Sequence, residues 1–267
     1  INYSLAANGS ETAIPSGAHF GYLNTYTSGN ITRFYLDNVY AGDEIIDTDP
    51  PTMISLQIIN DTQLDVIFSE AVTPATAEDI TNYDLIPFNS ISTATLDGVN
   101  PALVHLQLTN PLINGNTYTL TSSGIEDVNG NASANQSLNV TYLVAEIPAP
   151  GDVLINEFMA DPSPVVGLPE AEFVEIYNVS NKVFNISGWK LGDNATFGTI
   201  QTGWLLPGEY LVLCPTSSVP EFPGSVGVTS FPSLNNSSDD IVITDNTNLQ
   251  LDKISYTLDW YQDPAKK

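Results

Sequence analysis

The feature that most constrains this chain is a period-two alternation of apolar and polar residues, cut into short pieces. Between Thr52 and Leu143 it runs through MISLQIIN, QLDVIFSE, ITNYDLI, SISTATLDG, ALVHLQLT, NTYTLTSSGI and QSLNVTYLV. Side chains in a strand point alternately to opposite faces, so this pattern buries one face of a sheet and leaves the other wet. The pieces are separated by Asn/Gly turns. Antiparallel sheets packed face to face satisfy such a pattern. Seven strands over roughly ninety residues is the spacing of a seven-stranded β-sandwich of the immunoglobulin type.

A second alternating region opens at Gly151–Asn178, GDVLINEFMADPSPVVGLPEAEFVEIYN. The strands VLINEFMA and AEFVEIYN flank a loop built on Asp161-Pro162-Ser163-Pro164 and Gly167-Leu168-Pro169. Further strand-like blocks follow to Tyr261. Two Pro-bearing stretches punctuate the chain. Asp43–Pro51 carries four carboxylates in seven residues (43–49) and ends in Pro-Pro, and Ala145–Pro150 is shorter. Proline blocks strand continuation and stiffens a linker. The expected organisation is a partial β unit over 1–47, a sandwich over 48–145 and a second over 151–262. The fold class is all-β, with tandem Ig-like β-sandwiches in an elongated arrangement.

Charge narrows the function. The chain has 31 Asp and Glu against 6 Lys and Arg, a formal net charge of -25, and no basic residue between Arg33 and Lys182. Nucleic acids and anionic membrane surfaces are bound by neutralising phosphates with Lys and Arg, so neither is an expected partner. No apolar run reaches the ~18–20 residues of a membrane-spanning helix. Cys214 is the single cysteine, which excludes an internal disulfide and reads as a small buried hydrophobe in EYLVLC. Low Lys, abundant Asn, Thr, Ser and Gly, and many short strands point to an extracellular or cell-surface β protein. Asn-x-Ser/Thr triplets such as Asn30-Ile31-Thr32 and Asn185-Ile186-Ser187 are common by chance in such a chain.

Three family resemblances attach to these segments. Ile155-Asn156-Glu157, Glu172–Asn178, Ser187-Gly188-Trp189-Lys190-Leu191, Leu206-Pro207-Gly208-Glu209-Tyr210, and Leu234-Asn235-Asn236 before Asp240–Ile243 resemble the lamin-tail domain family in its bacterial secreted form. That resemblance covers Gly151–Tyr261 and implies a compact Ig-like sandwich; it does not imply catalysis by the domain itself. Phe68–Val72, Asn82-Tyr83, Tyr118 and Ile125–Asn131 resemble the bacterial Ig-like domains of surface-layer and other secreted proteins, which implies a spacer. The run FYLDNVYAGDEIID resembles the closing strand of concanavalin-like (laminin-G-like) jelly rolls. It would make 1–47 the C-terminal part of such a domain.

Candidate chemistry is sparse. There is no G-x-S-x-G, no phosphate-cradling loop, and too few His and Cys for a zinc site. His19 and His105 fall in different expected domains, and His105, alternating with Val104 and Leu106, reads as a sheet residue. A carboxylate pair for glycoside hydrolysis has no specific signature in so acidic a chain. Calcium has a geometric argument. Asp127, Asn129 and Asn131 place oxygens at alternate positions, and the acidic linker with Asp47 and Asp49 is expected at the same pole of the sandwich. Loop and linker could then share a Ca2+ ion. The same residues also read as an Asn-Gly turn beside a solvated linker. Trp204 and Trp260 are the candidate sugar-stacking residues, whereas Trp189 reads as core.

The expected function is a non-enzymatic structural or adhesive module of a secreted or cell-surface bacterial protein, acting as spacer and display unit. The alternative is the accessory, spacer or carbohydrate-binding region of a larger secreted hydrolase. Expected partners are other surface or extracellular proteins, glycans, or further copies of the chain, with no direct insertion into a membrane.

Overall fold

The computed structural model describes residues 47–260, save for Phe88, Val166 and Asn194. The jelly-roll reading of 1–47, and with it His19, therefore lies outside the described residues, Asp47 apart. The chain divides into two compact units, Ile1–Thr48 and Asp49–Lys267. The second unit is nearly all β and contains two hydrophobic cores that share no residue.

The first core is enclosed by strands β1 (Met53–Asn60), β2 (Gln63–Phe68), β3 (Tyr83–Ile86), β4 (Ile91–Leu96), β5 (Leu103–Leu108), β6 (Thr117–Ser122) and β7 (Gln136–Thr141). They form one sheet in the order β1-β2-β5-β4 and a second in the order β3-β6-β7. Lettering the strands A to G gives ABED facing CFG, the constant-type immunoglobulin arrangement. Alternation decides which side chains meet: Leu64, Val66 and Phe68 of β2 and Val104, Leu106 and Leu108 of β5 point inward, with Tyr118 and Leu120 of β6 opposite. Burying a side chain such as Leu64 is worth about 1.5–3 kcal/mol. The Tyr118 hydroxyl accepts a hydrogen bond from the Ile113 amide at 2.8 Å. This is the tyrosine corner that closes the E–F connection of such sandwiches.

One local expectation changes. The block ITNYDLI is extended only from Tyr83, because Ile80–Asn82 forms a 3-10 turn. The Asp79 carboxylate accepts from the Thr81 amide (2.9 Å) and hydroxyl (2.7 Å), which bends the backbone before the strand begins. A four-residue helix, α1 (Pro74–Ala77), also interrupts the β2–β3 connection.

The second core lies within β8 (Val153–Met159), β9 (Phe173–Asn178), β10 (Phe184–Asn185), β11 (Lys190–Gly192), β12 (Phe197–Ile200), β13 (Trp204–Leu205), β14 (Tyr210–Pro215), β15 (Val226–Thr229), β16 (Ser238–Thr244) and β17 (Gln250–Thr257). The main sheet runs β17-β16-β11-β12-β15-β14-β9-β8, and β10 pairs with β13 in a separate ribbon. The two ends of the long sheet meet. The Ile155 amide donates to the Asp252 carboxylate at 2.8 Å, and the Gly151 amide to the Leu251 carbonyl at 2.8 Å. Ile176, Phe184, Trp189, Leu191, Leu213, Ile241 and Tyr256 fill the interior. Cys214 is fully buried as well, on the face of β14 opposite to Leu211 and Leu213.

Strand β15 has no counterpart among the sequence blocks. It holds four residues, VGVT, and pairs parallel to β14, to which a 3-10 turn at Thr216–Glu221 connects it.

Candidate functional site at the junction of the sandwiches

The linker Ala145–Pro150 is bolted to both sandwiches by side chains. Asn114, in the β5–β6 connection, uses its amide as a backbone would. Its Nδ2 donates to the Val144 carbonyl and the Val144 amide donates to its Oδ1, both at 2.8 Å. The same Nδ2 also reaches Glu146 Oε2 at 3.0 Å. Glu146 repeats the device on the other side. Its amide donates to the Val183 carbonyl, and its Oε2 accepts from the Val183 amide, both at 2.9 Å.

Lys182 closes the far end. Its Nζ sits 2.8 Å from Asp152 Oδ2 and 3.3 Å from the Ile147 carbonyl, while Asp152 also accepts from the Ala149 amide at 2.8 Å. Burial opposes ionisation of Asp152, but the bonds from Lys182 and Ala149 outweigh it and hold the carboxyl below its ordinary range. Between the bolts the surfaces touch: a Cβ on Gly115, at φ +87, would stand 3.0 Å from Val183 Cγ2. Only a residue that tolerates positive φ and lacks a side chain fits there. The arrangement carries hydrogen-bond geometry, with no nucleophile and base in reach of each other. Proline was the visible signal of this linker, and Asn114, Glu146 and Val183 had none. Lys182 did have one, as the first basic residue after Arg33 in an acidic chain.

The residues singled out from sequence are placed as follows. Asp127 is buried, and its Oδ1 accepts from the amides of Asn129 and Asn131 at 2.8 Å each, its Oδ2 from Asn131 Nδ2 at 2.7 Å. Burial works against the charge, but these donors outweigh it and hold the carboxyl below the usual range. The structure thus gathers Asp127, Asn129 and Asn131 into one β6–β7 loop. That loop is laced to the β2–β3 connection by Thr73 N to the Glu126 carbonyl (2.8 Å) and Glu126 N to Thr76 Oγ1 (2.9 Å). Asp49 is exposed in the second unit, and Asp47 is exposed in the first.

Trp189 is core, packed 5.7 Å from the Phe184 ring. Trp204 is half-buried on the β10–β13 ribbon, opposite Asn185. Trp260 is 58% exposed after β17, its ring 6.4 Å from that of Phe158. The two tryptophans stand on different elements. His105 is a sheet residue on the outer face, clamped between Asp65 (Nδ1 to Oδ1, 2.7 Å) and Asp97 (Nε2 to Oδ2, 3.3 Å). The bond to Asp65 is the main reason its pKa is raised.

Residues 146–258 match the family model described as Lamin Tail Domain. The likeness to the lamin tail domain family is confined to this segment, less than half of the chain. The match spans the linker carboxylate Glu146 and every strand of the lamin tail sandwich, so the bolt at Val183 lies inside it. No curated protein matches the chain. Among solved structures, the chain is similar to the N-terminal part of the bacterial S-layer protein SbsC, at 17% identity and a TM-score of 0.33. The likeness covers 78% of this chain and 43% of that one, so the chain spans less than half of that structure's length. It is also similar to native alpha-2-macroglobulin from Escherichia coli spanning domains MG0-NIE-MG1 (14% identity, TM-score 0.29, 74% and 79% covered). A third likeness is to an L,D-transpeptidase from Mycobacterium smegmatis (12% identity, TM-score 0.24, 68% and 90% covered). None of the three superposes closely enough to carry an argument about what this chain does.

Proposed function

We propose that this chain is a non-catalytic structural module of a secreted or cell-surface bacterial protein, one that holds and displays what is attached to it at a fixed angle. The observation that carries this reading is the bolted junction. Two reciprocal hydrogen-bonded pairs, Asn114 with Val144 and Glu146 with Val183, grip a linker only a few residues long. Relative domain motion is the ordinary expectation for two sandwiches joined by a linker, and each bolt removes part of that freedom. A spacer gains from such stiffness, because a displayed partner then meets its target without paying orientational entropy. The lamin tail match supports the non-catalytic part of the reading.

The test is the distance distribution between spin labels at Ser92 of the first sandwich and Thr257 of the second. A single narrow distribution is expected, broadened by Glu146→Ala. A broad distribution in the unaltered chain would sink the reading. Fractionation of intact cells producing the full-length protein tests the location, with recovery in the surface or extracellular fraction expected.

A further inference from the structure

We infer that the lamin tail sandwich carries a binding groove for a neutral glycan, with Glu172 at its centre and Gln201, Ser217 and Ser230 on its rim. The groove lies where the parallel strands β14 and β15 end side by side, and its volume is about 500 Å³. That size falls within the ~300–1,000 Å³ of small-molecule sites. Glu172 reaches it as the residue just before β9, one step past Phe173 in the register that pairs Leu213 with Val174.

Two glycines hollow it out. A Cβ on Gly227 would come within 3.0 Å of Gln201 Oε1 and 3.2 Å of Thr216 Cα. A Cβ on Gly198 would meet the carbonyl oxygens of Ser230 at 2.6 Å and Thr229 at 2.9 Å. The missing side chain at 198 lets the Thr229–Ser230 backbone lie close over β12. There Ser230 takes φ 55, a conformation that costs a serine energy and that concentrates at binding sites.

The lining selects the ligand by its chemistry. No Lys, Arg or His borders the groove, so a phosphate, sulfate or carboxylate has no counter-charge there. The walls supply hydroxyls, the Gln201 amide and one half-buried carboxylate, with the Phe231 ring beside them. Hydroxyl groups of a sugar donate to Glu172 and exchange donors and acceptors with Ser217, Ser230 and Gln201, while a C–H face of the ring lies on Phe231. Burial pushes the Glu172 carboxyl up, against a backbone hydrogen bond from Leu234, and the negative Asp239 adds to the rise. A group already stripped of part of its water gains most from a ligand that replaces those hydrogen bonds. The groove is independent of the junction at Glu146, so a failure here leaves the spacer reading untouched.

The test is an amide-resolved NMR titration of the full chain with maltohexaose, cellohexaose and chitohexaose, with trilysine in parallel. At least one neutral hexasaccharide is expected to shift the amides of Gln201, Ser217 and Ser230 saturably. Glu172→Gln, which keeps the shape, should weaken that binding about tenfold or more, the size of a lost hydrogen bond to a charged group. Ser217→Ala, on the exposed rim, should weaken it measurably while leaving the spectrum otherwise unchanged. No shift with any of the three sugars overturns the inference. So does binding that both variants leave intact, or saturable binding of trilysine at Glu172 in place of a sugar.

Discussion

Glu146 both donates to and accepts from Val183, with its backbone amide and its side-chain Oε2 each 2.9 Å from the partner atom. A side chain here completes the two-bond pairing that a neighbouring strand would make, much as a capping box closes a helix end. Glu146 also touches Asn114, so one exposed linker residue joins elements on either side of the junction.

Glu146→Ala removes the acceptor but keeps the backbone bond. We expect a loss of about 1 kcal/mol, the usual net worth of such a bond, in chemical denaturation of the second sandwich. Asn114→Ala, which strips both Val144 bonds, should cost at least as much.

Because the two cores share no residue, mutations in them should act separately. Leu64→Ala should lower the stability of the first sandwich by about 2–5 kcal/mol and Leu191→Ala that of the second by a similar amount. Scanning calorimetry would show this as movement of one thermal transition at a time. Equal movement of a single transition by both variants would mean that the bolts make one cooperative unit.

His105 gives the first sandwich a pH dependence of definite sign. Its folded pKa is raised above the ordinary 6.5, chiefly by the bond to Asp65. The clamp therefore contributes fully below 6.5 and loses its contribution as pH rises through the raised value. The lower limit is set by Asp97. Bonds from the amides of Asn100 and Val99 depress its pKa below 3.8, and its contribution disappears as pH falls through that depressed value. Melting temperatures of the natural chain and His105→Gln should differ most near pH 5 to 6 and converge in alkaline buffer.

Calcium at Asp49, Asp127, Asn129 and Asn131 is a proposal that one titration decides. An ion bound only by the folded chain raises the melting temperature at millimolar Ca2+, and Asp127→Asn should abolish the rise. An unchanged melt removes the ion. Asp127→Ala should destabilise the chain with or without calcium, because the amides of Asn129 and Asn131 lose their shared acceptor.

Gly198→Ala places a methyl against two backbone carbonyls that cannot swing aside as a long side chain would. Overpacking of this kind costs about 1–3 kcal/mol, and amide shifts should concentrate at Thr229 and Ser230.

Alternation revealed most strands, because it reports burial directly. MISLQIIN matches β1 residue for residue, and the cores at Leu64, Val104, Ile176 and Leu213 follow from inward phase. It could not reveal β15, where Gly227 leaves nothing to alternate, nor the 3-10 turn at Ile80–Asn82, which Asp79 imposes through its side chain. The junction was hidden for another reason. Asn114 and Val144 are thirty positions apart, and an exposed Asn or Glu looks alike in sequence whether it bonds water or a neighbouring sandwich. Glu172 was visible as part of a family pattern, but its groove depends on glycines at 198 and 227 that sequence alone reads as loop residues.

The meeting of β8 and β17 in the lamin tail sandwich has a consequence for crowding. An open strand edge offers unpaired backbone groups to any neighbouring copy and is a route to aggregation. Here Asp252 occupies the Ile155 amide and Leu251 occupies that of Gly151. Many copies could stand side by side at high local density without zippering through these positions. A protein displayed in numbers on a cell would be under selection for that property, quite apart from anything it binds.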